Sequence, residues 1–241
     1  MLGFGHLCIM VGYDSESFVL ESVIHSIHER TPEVISKYAG YYGQAVMYIV
    51  YMIGCLFSPS ILNEIGSKWI LILSAICFAS FPLGFFFINS WYYYLSQMLL
   101  GFGYALYYQG NGGYLTSKST RQTLESNVNI AWSVGCCCLL ISSGILASVT
   151  HMTHEQPAHL NSSLNPTSLD NRIERRFSDL EIKLLFGIFL GASIVAILNF
   201  IACPGRDVTN CIQETKKKGT FMGTFSEYRE MRQGSGNASA N

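Results

Sequence analysis

The sequence predicts an all-α, polytopic membrane protein, and three observations support this fold class. The 241-residue chain is 49% hydrophobic and only 13% charged, and this charged fraction is about half that of a soluble globular domain. Six apolar runs are long enough for a helix to cross about 30 Å of hydrocarbon. Aromatic residues lie at run ends, as in a membrane-interface belt. These features exclude a disordered chain and argue against an ordinary soluble enzyme, and a net charge of −1 gives no strong attraction to nucleic acid.

We expect six membrane-spanning helices, over residues 2–24, 41–62, 69–88, 91–115, 128–149 and 184–202. The first run is the most polar, because Asp14, Glu16 and Glu21 interrupt it. The second run holds no formal charge. The third and fourth runs begin at Trp69 and Trp91, where interfacial aromatic residues are expected. The fifth and sixth runs are again free of charge. Charge-free runs of about 20 residues are typical of helices surrounded by lipid.

Prolines and small residues within the runs also fit membrane helices. Pro59 and Pro82 lie inside the second and third runs, and a membrane helix tolerates proline there better than a soluble helix does. The pairs Gly101–Ala105 and Gly187–Gly191 have the small-xxx-small spacing that lets helix backbones approach closely. The alternative is that these glycines fall at this spacing by chance in a glycine-rich chain.

The charge pattern predicts two parts and an orientation. We assign residues 1–202 to a six-helix transmembrane bundle and residues 203–241 to a polar cytoplasmic tail. Six spans place both termini on one side, and a modest excess of Lys and Arg indicates that this side is the cytoplasm. Asn161 begins an Asn-Ser-Ser acceptor for N-glycosylation in the long loop on the opposite side, although such tripeptides also occur by chance. We therefore expect a multi-pass glycoprotein of the plasma membrane or an endomembrane.

Acidic side chains inside the first run are the leading candidates for a functional site. Asp14 and Glu21 are seven residues apart and share one helix face, whereas Glu16 points roughly the opposite way. An ionisable group in hydrocarbon is unfavourable, so it should face a bundle interior or a water-filled cavity. We consider Asp14 and Glu21 candidates for a proton or cation relay, with Asp14 the stronger. The alternative is that the helix ends early and leaves Glu16 and Glu21 in water.

Other candidate sites are weaker. Gln109 and Asn111 in the fourth run could bind a substrate, although bracing of neighbouring helices is the commoner use of such amides. No motif of soluble-enzyme chemistry is present, so we expect no catalytic residue, no cofactor and no enzymatic activity. His25 and His28 form the closest histidine pair but lack further ligands, so we expect no metal site. We interpret the cysteines at 136–138 as small apolar packing residues.

Three segments resemble a known family. They are GYDSESFVLESVIHS near the start, GYYGQAVMYIVYMIGCLFSPSIL continuing through NEIGSKW, and YYQGNGGYLTSKSTRQTLESN. Together they resemble the uncoordinated-93-like, or ion channel regulatory protein, family of the major facilitator superfamily, over about residues 2–204. In the NEIGSKW loop only Gly66 and Lys68 match the superfamily signature. The absence of its acidic and double-basic residues places alternating-access transport in doubt.

The resemblance implies a fold of two six-helix halves with cytoplasmic termini, of which this chain is similar to the N-terminal half. Founding members are regarded as accessory subunits of two-pore potassium channels, and a vertebrate relative escorts Toll-like receptors. We therefore expect a membrane accessory protein whose partners are lipid, an ion channel or other membrane protein, and a second six-helix half. A half of a solute or proton-coupled transporter is the alternative. The chain itself could be a truncated product, a short isoform or a half that pairs with another.

Overall fold

The computed structural model describes residues 1–87, 89–154 and 177–205. Within these ranges every regular element is an α-helix, so the all-α prediction is confirmed for them. The helices are α1 (Leu2–Arg30), α2 (Ala39–Ile65), α3 (Ser67–Gly84), α4 (Ser90–Lys118), α5 (Leu124–Cys136), α6 (Cys138–His154) and α7 (Asp179–Ala202). Each of the six predicted runs falls mainly within one helix, except that the fifth is divided between α5 and α6.

Local sequence signals account for several helix ends. Ser178 caps α7: its side-chain oxygen accepts a hydrogen bond from the backbone N–H of Glu181 at 3.2 Å, and the Glu181 carboxylate accepts one from the Ser178 N–H at 2.6 Å. At the start of α4, the Asn89 side chain accepts from the Trp91 N–H at 3.0 Å. A single residue, Gly66, separates α2 from α3 with φ of 88°, which is a backbone conformation that favours glycine.

Most helix boundaries differ from the predicted runs by a few residues, and two of these differences concern α1 and α3. α1 continues to Arg30 and buries Glu16, so the alternative in which the helix ends early and leaves Glu16 in water is wrong, although Glu21 is exposed. α3 ends at Gly84 rather than at residue 88, because the next three N–H groups bond three residues back instead of four. The residues after Gly84 are still apolar, and composition therefore does not mark the point where the α-helix stops. Pro59 and Pro82 both lie inside helices, as predicted.

The helices form two groups joined by α7. α4 packs between α2 and α3, while α1 packs against α5, α6 and α7 and more lightly against α2. α7 contacts both α1 and α3. Buried aromatic rings hold the groups together, as where Phe85 stacks on Phe186 with ring centroids 3.8 Å apart. The polar helices α1 and α4 are thereby covered on several sides by more apolar helices.

In the part of the chain that the structure describes, four helical segments are long and apolar enough to cross a membrane. They are Ala39–Ile65, Ser67–Gly84, Asp179–Ala202, and the consecutive helices α5 and α6 taken together as Leu124–His151. Such segments are consistent with a multi-pass membrane protein. α1 and α4 are each 29 residues long but more polar. The arrangement with six spans therefore stays a prediction.

Candidate functional site

The polar side chains of α1 leave the helix in different directions and meet different neighbours. Asp14 is half-buried against α6, where the Cys138 thiol donates a hydrogen bond to its Oδ2 at 3.1 Å. Hydrogen bonding partly offsets the unfavourable placement of a carboxylate away from water. Glu21, seven residues further on, is exposed. The structure therefore separates the two candidates for a relay along one helix face.

Glu16 lies on the other side of α1 and is the most enclosed acid of the helix. Its side chain is 3% exposed, and no hydrogen-bond donor of the described chain reaches its Oε1. It lines a cavity of about 10 Å³ between α1, α2, α3 and α4. The cavity walls are Tyr13, Glu16, Ser17, Leu20, Gln44, Met47, Phe81, Gln97 and Leu100.

Gln97 of α4 faces the same cavity and is 1% exposed. Its Nε2 donates to the hydroxyl oxygen of Tyr93 at 3.2 Å, but its Oε1 has no partner among the described residues. Two residues with a buried, unpartnered oxygen acceptor, one of them acidic, therefore line one small space. Sequence reasoning missed Gln97, because an isolated amide in an apolar run gives no sign of which helix it will face. The same reasoning placed Glu16 opposite Asp14 on the helix but did not choose Glu16 as a candidate for the relay.

An aromatic cluster surrounds His6 near the start of α1. Its Nδ1 forms a hydrogen bond with the Tyr107 hydroxyl of α4, and its ring lies edge-on to Trp132 of α5 with centroids 4.9 Å apart. His6 is 5% exposed and Tyr107 is fully buried. This cluster joins three helices through one polar contact. A lone histidine in an apolar run is the one sign of this cluster in the sequence, and such a histidine does not show which helices it will contact.

The remaining candidates are dispersed. Gln109 is half-buried, whereas Asn111 is 5% exposed with its Oδ1 unpartnered among the described residues. His28 bonds the carbonyl oxygen of Ile35 through Nδ1 at 2.8 Å, and in the part of the chain that the structure describes no group of three or more His, Cys, Asp or Glu is placed to hold a metal ion. The glycosylation candidate Asn161 lies outside the described residues.

The three adjacent cysteines differ from one another. Cys138 is buried and hydrogen-bonded to Asp14, while Cys136 and Cys137 are exposed. The interpretation of all three as packing residues therefore holds within the described bundle for Cys138 alone. Cys137 lies between α5 and α6, and its backbone N–H bonds the carbonyl oxygen of Val134, three residues back, at 3.3 Å.

Comparison with known proteins identifies the family. The sequence model of the ion channel regulatory protein UNC-93 family matches residues 31–233, which is most of the chain. The chain belongs to this family. The resemblance drawn from the sequence is thereby confirmed, and the family description is that of a regulatory protein rather than of an enzyme.

Individual UNC-93 relatives are distant. Protein unc-93 homolog A from Bos taurus is 26% identical over 258 residues, and that from Homo sapiens is 27% identical over the same length; each match covers 96% of this chain and 54% of the relative. The UNC93-like protein MFSD11 of Xenopus tropicalis is 25% identical over 134 residues, which cover 56% of this chain and 29% of that protein. The chain thus spans about half the length of homolog A. No solved structure matches it.

Proposed function

We propose that this UNC-93 chain forms the N-terminal, six-span half of a major-facilitator-type fold and acts as a regulatory subunit of an ion channel. The family match over residues 31–233 carries the proposal. In this arrangement α1 and α4 are the first and fourth spans. Their length of 29 residues each exceeds the roughly 20 needed to cross the hydrocarbon. The apolar helices packed around them would shield their polar groups from lipid.

A second half would pack on the exposed sides of α2, α5 and α6, which together we call the open face. In the most apolar segment of α2, only 17% of the residues are buried, and the same share is buried in the most apolar segment of α5 and α6 together. In α3 the corresponding share is 50%. The open face also exposes small residues of α6, among them Ser143, Gly144 and Ser148. Small residues permit close helix packing in membranes. Homolog A is about twice as long as the matched region, and its remaining length could supply such a partner.

The proposed orientation places both termini in the cytoplasm and residues 203–241 in a polar cytoplasmic tail. The modest excess of basic residues on that side supports this orientation. It puts Asn161 outside or in a lumen, where the acceptor sequence could be glycosylated. Contact with membrane lipid then occurs on the apolar surfaces that protein does not cover.

Channel regulation can be tested by co-expressing this chain with a two-pore potassium channel in cultured cells. We expect the chain to co-purify with the channel and to change its whole-cell current, with an unrelated six-span membrane protein as the control. Normal current and no co-purification would argue against channel regulation.

The transporter alternative is tested separately by solute uptake and proton flux in proteoliposomes. The wild-type chain is compared with Asp14→Asn, because Asp14 is the half-buried acid that this alternative invokes. A flux that the substitution abolishes would favour transport over regulation.

Pairing of halves has its own test at Gly144. A Cβ atom built at Gly144 or at Gly191 of α7 meets nothing within 4 Å, and both positions are exposed, so leucine at either position should leave the bundle intact. When the C-terminal half of homolog A is co-expressed, Gly144→Leu should reduce capture of that half, whereas Gly191→Leu should not. Equal capture by both variants would contradict docking on the open face.

A further inference from the structure

We propose that Glu16 and Gln97 form a binding site for one small monovalent cation, either a proton or Na⁺, in the cavity between α1 and α4. Glu16 and Gln97 both line this space, and both residues are at least nine-tenths buried. Each has an oxygen acceptor that no donor of the described chain reaches. This site lies within the bundle and does not depend on the proposed channel partner or on a second half.

Charge balance is the first reason to expect a cation. An isolated carboxylate is strongly unfavourable in a low-dielectric interior unless it is paired or neutralised. None of the described residues lining the cavity is Lys, Arg or His. α2 and α3 contribute only uncharged walls, Gln44, Met47 and Phe81. The compensating charge must therefore come from a bound species.

The other titratable groups nearby do not compensate for Glu16. Tyr13 lines the cavity, and its hydroxyl lies 3.8 Å from the sulfur of Met47. Tyr93 meets Gln97 from α4. Asp14 is directed to Cys138 on another side of α1. These groups are neutral or acidic, and none of them provides a positive charge.

Size and chemistry select a small monovalent ion. The cavity of about 10 Å³ has room for about one water-sized body, which excludes an organic solute. Carboxylate and amide oxygens are hard ligands suited to a hard cation. One carboxylate balances one positive charge, so a divalent ion would remain uncompensated. A proton would instead reside on the Glu16 carboxyl group and provide the donor that the Gln97 oxygen lacks.

The test uses the full chain purified in detergent and follows its melting temperature. In one arm Na⁺ replaces choline at constant ionic strength and pH, and in the other the pH is raised without Na⁺. Wild type is compared with Glu16→Gln, which removes the charge and keeps the shape. Glu21→Gln is the matched control, because it removes an exposed acid from the same helix.

If Na⁺ binds, the wild-type melting temperature rises by a few degrees for each tenfold increase in Na⁺ above its dissociation constant. If a proton binds, the folded chain releases it at high pH, and the melting temperature falls as pH rises. In either case Glu16→Gln should lose the dependence and Glu21→Gln should keep it. Identical titrations of wild type and Glu16→Gln would overturn the proposal.

A second measurement uses only the wild-type chain, so it does not require the Glu16→Gln variant to fold. Infrared spectra of the wild-type chain should show the carbonyl band of a protonated, buried carboxyl group in Na⁺-free buffer, or else the melting temperature should depend on Na⁺. A wild-type chain that shows neither would overturn the proposal even if Glu16→Gln failed to fold.

Discussion

The contact between α2 and α4 at Gly101 offers the sharpest test of the packing. A Cβ atom built at Gly101 would lie 2.2 Å from the carbonyl oxygen of Met47 and 3.0 Å from its carbonyl carbon. The obstacle is backbone, which cannot rotate aside as a side chain can. Gly101→Ala should therefore force α2 and α4 apart. On α7, Gly191 is exposed, and a Cβ there meets nothing within 4 Å, so Gly191→Ala is the matched control.

The expected magnitude follows from two opposing effects. Overpacking a well-packed contact destabilises by about 1–3 kcal/mol, whereas Gly→Ala within a helix stabilises by about 1 kcal/mol. The second effect is common to both variants and cancels in their comparison. Gly101→Ala should therefore be less stable than Gly191→Ala by about 1–3 kcal/mol. At about 2–4 °C per kcal/mol for a chain of this size, the melting temperatures should differ by about 2–12 °C.

The measurement is thermal unfolding of the purified full chain in detergent, followed by tryptophan fluorescence. Equal melting temperatures for the two alanine variants would refute the close approach of α2 and α4. A Gly191→Ala variant that is strongly destabilised would instead mean that the exposed face of α7 is packed against something in the purified sample.

Four further predictions concern the same chain, three of them on single interactions and the fourth on the glycosylation acceptor. Tyr107→Phe leaves the buried ring of His6 without its partner and should lower the free energy of unfolding by about 1–3 kcal/mol; no change in a denaturation curve would contradict this. Ser178→Ala removes the cap of α7 and should cost about 0.5–2 kcal/mol. Arg30→Gln removes the exposed ion pair with Asp179, worth about 0–1 kcal/mol, and the hydrogen bond that Arg30 Nε donates to the carbonyl oxygen of Ser26, worth about 0.5–1.5 kcal/mol; a loss above about 2.5 kcal/mol in a melting experiment would contradict this estimate. Asn161→Gln should abolish a glycosidase-sensitive mass shift, and a wild-type chain from secretory-pathway membranes with no such shift would argue against the proposed orientation.

The positions of the helices could be predicted from the sequence better than the contacts between them. Long apolar runs locate helices because lipid-spanning segments need both length and hydrophobicity. The fifth run is nevertheless divided into two helices at Cys137. No proline or glycine occupies that position, so the sequence does not indicate the break. The two small-residue pairs had the same spacing, yet Gly101 meets the backbone of Met47 whereas Gly191 meets nothing within 4 Å. Spacing shows that a helix can approach another closely, but it does not show which face has a neighbour.

The candidate site was harder to predict than the fold. Helical periodicity correctly placed Asp14 and Glu16 on different sides of α1. It could not reveal that α1 is covered on both sides, by α6 at Asp14 and by α2 and α4 at Glu16. When a helix packs against several others, tertiary packing decides which acidic residue is most buried. The position of that residue on one face of the helix does not decide it. Gln97 and His6 were missed for the same reason.

The packing at Gly101 and the cavity at Glu16 are physically connected. Met47 presents its carbonyl oxygen to Gly101 and also lines the cavity, while Gln97 and Leu100 of α4 lie within one turn of Gly101. The close approach of α2 and α4 therefore helps to set the size of the space around the Glu16 carboxylate. A wider crossing would enlarge the cavity and admit more water, which would reduce the unfavourable burial of that charge. Cation binding at Glu16 and tight packing of α2 on α4 should consequently favour each other, because both depend on the same narrow separation between these helices.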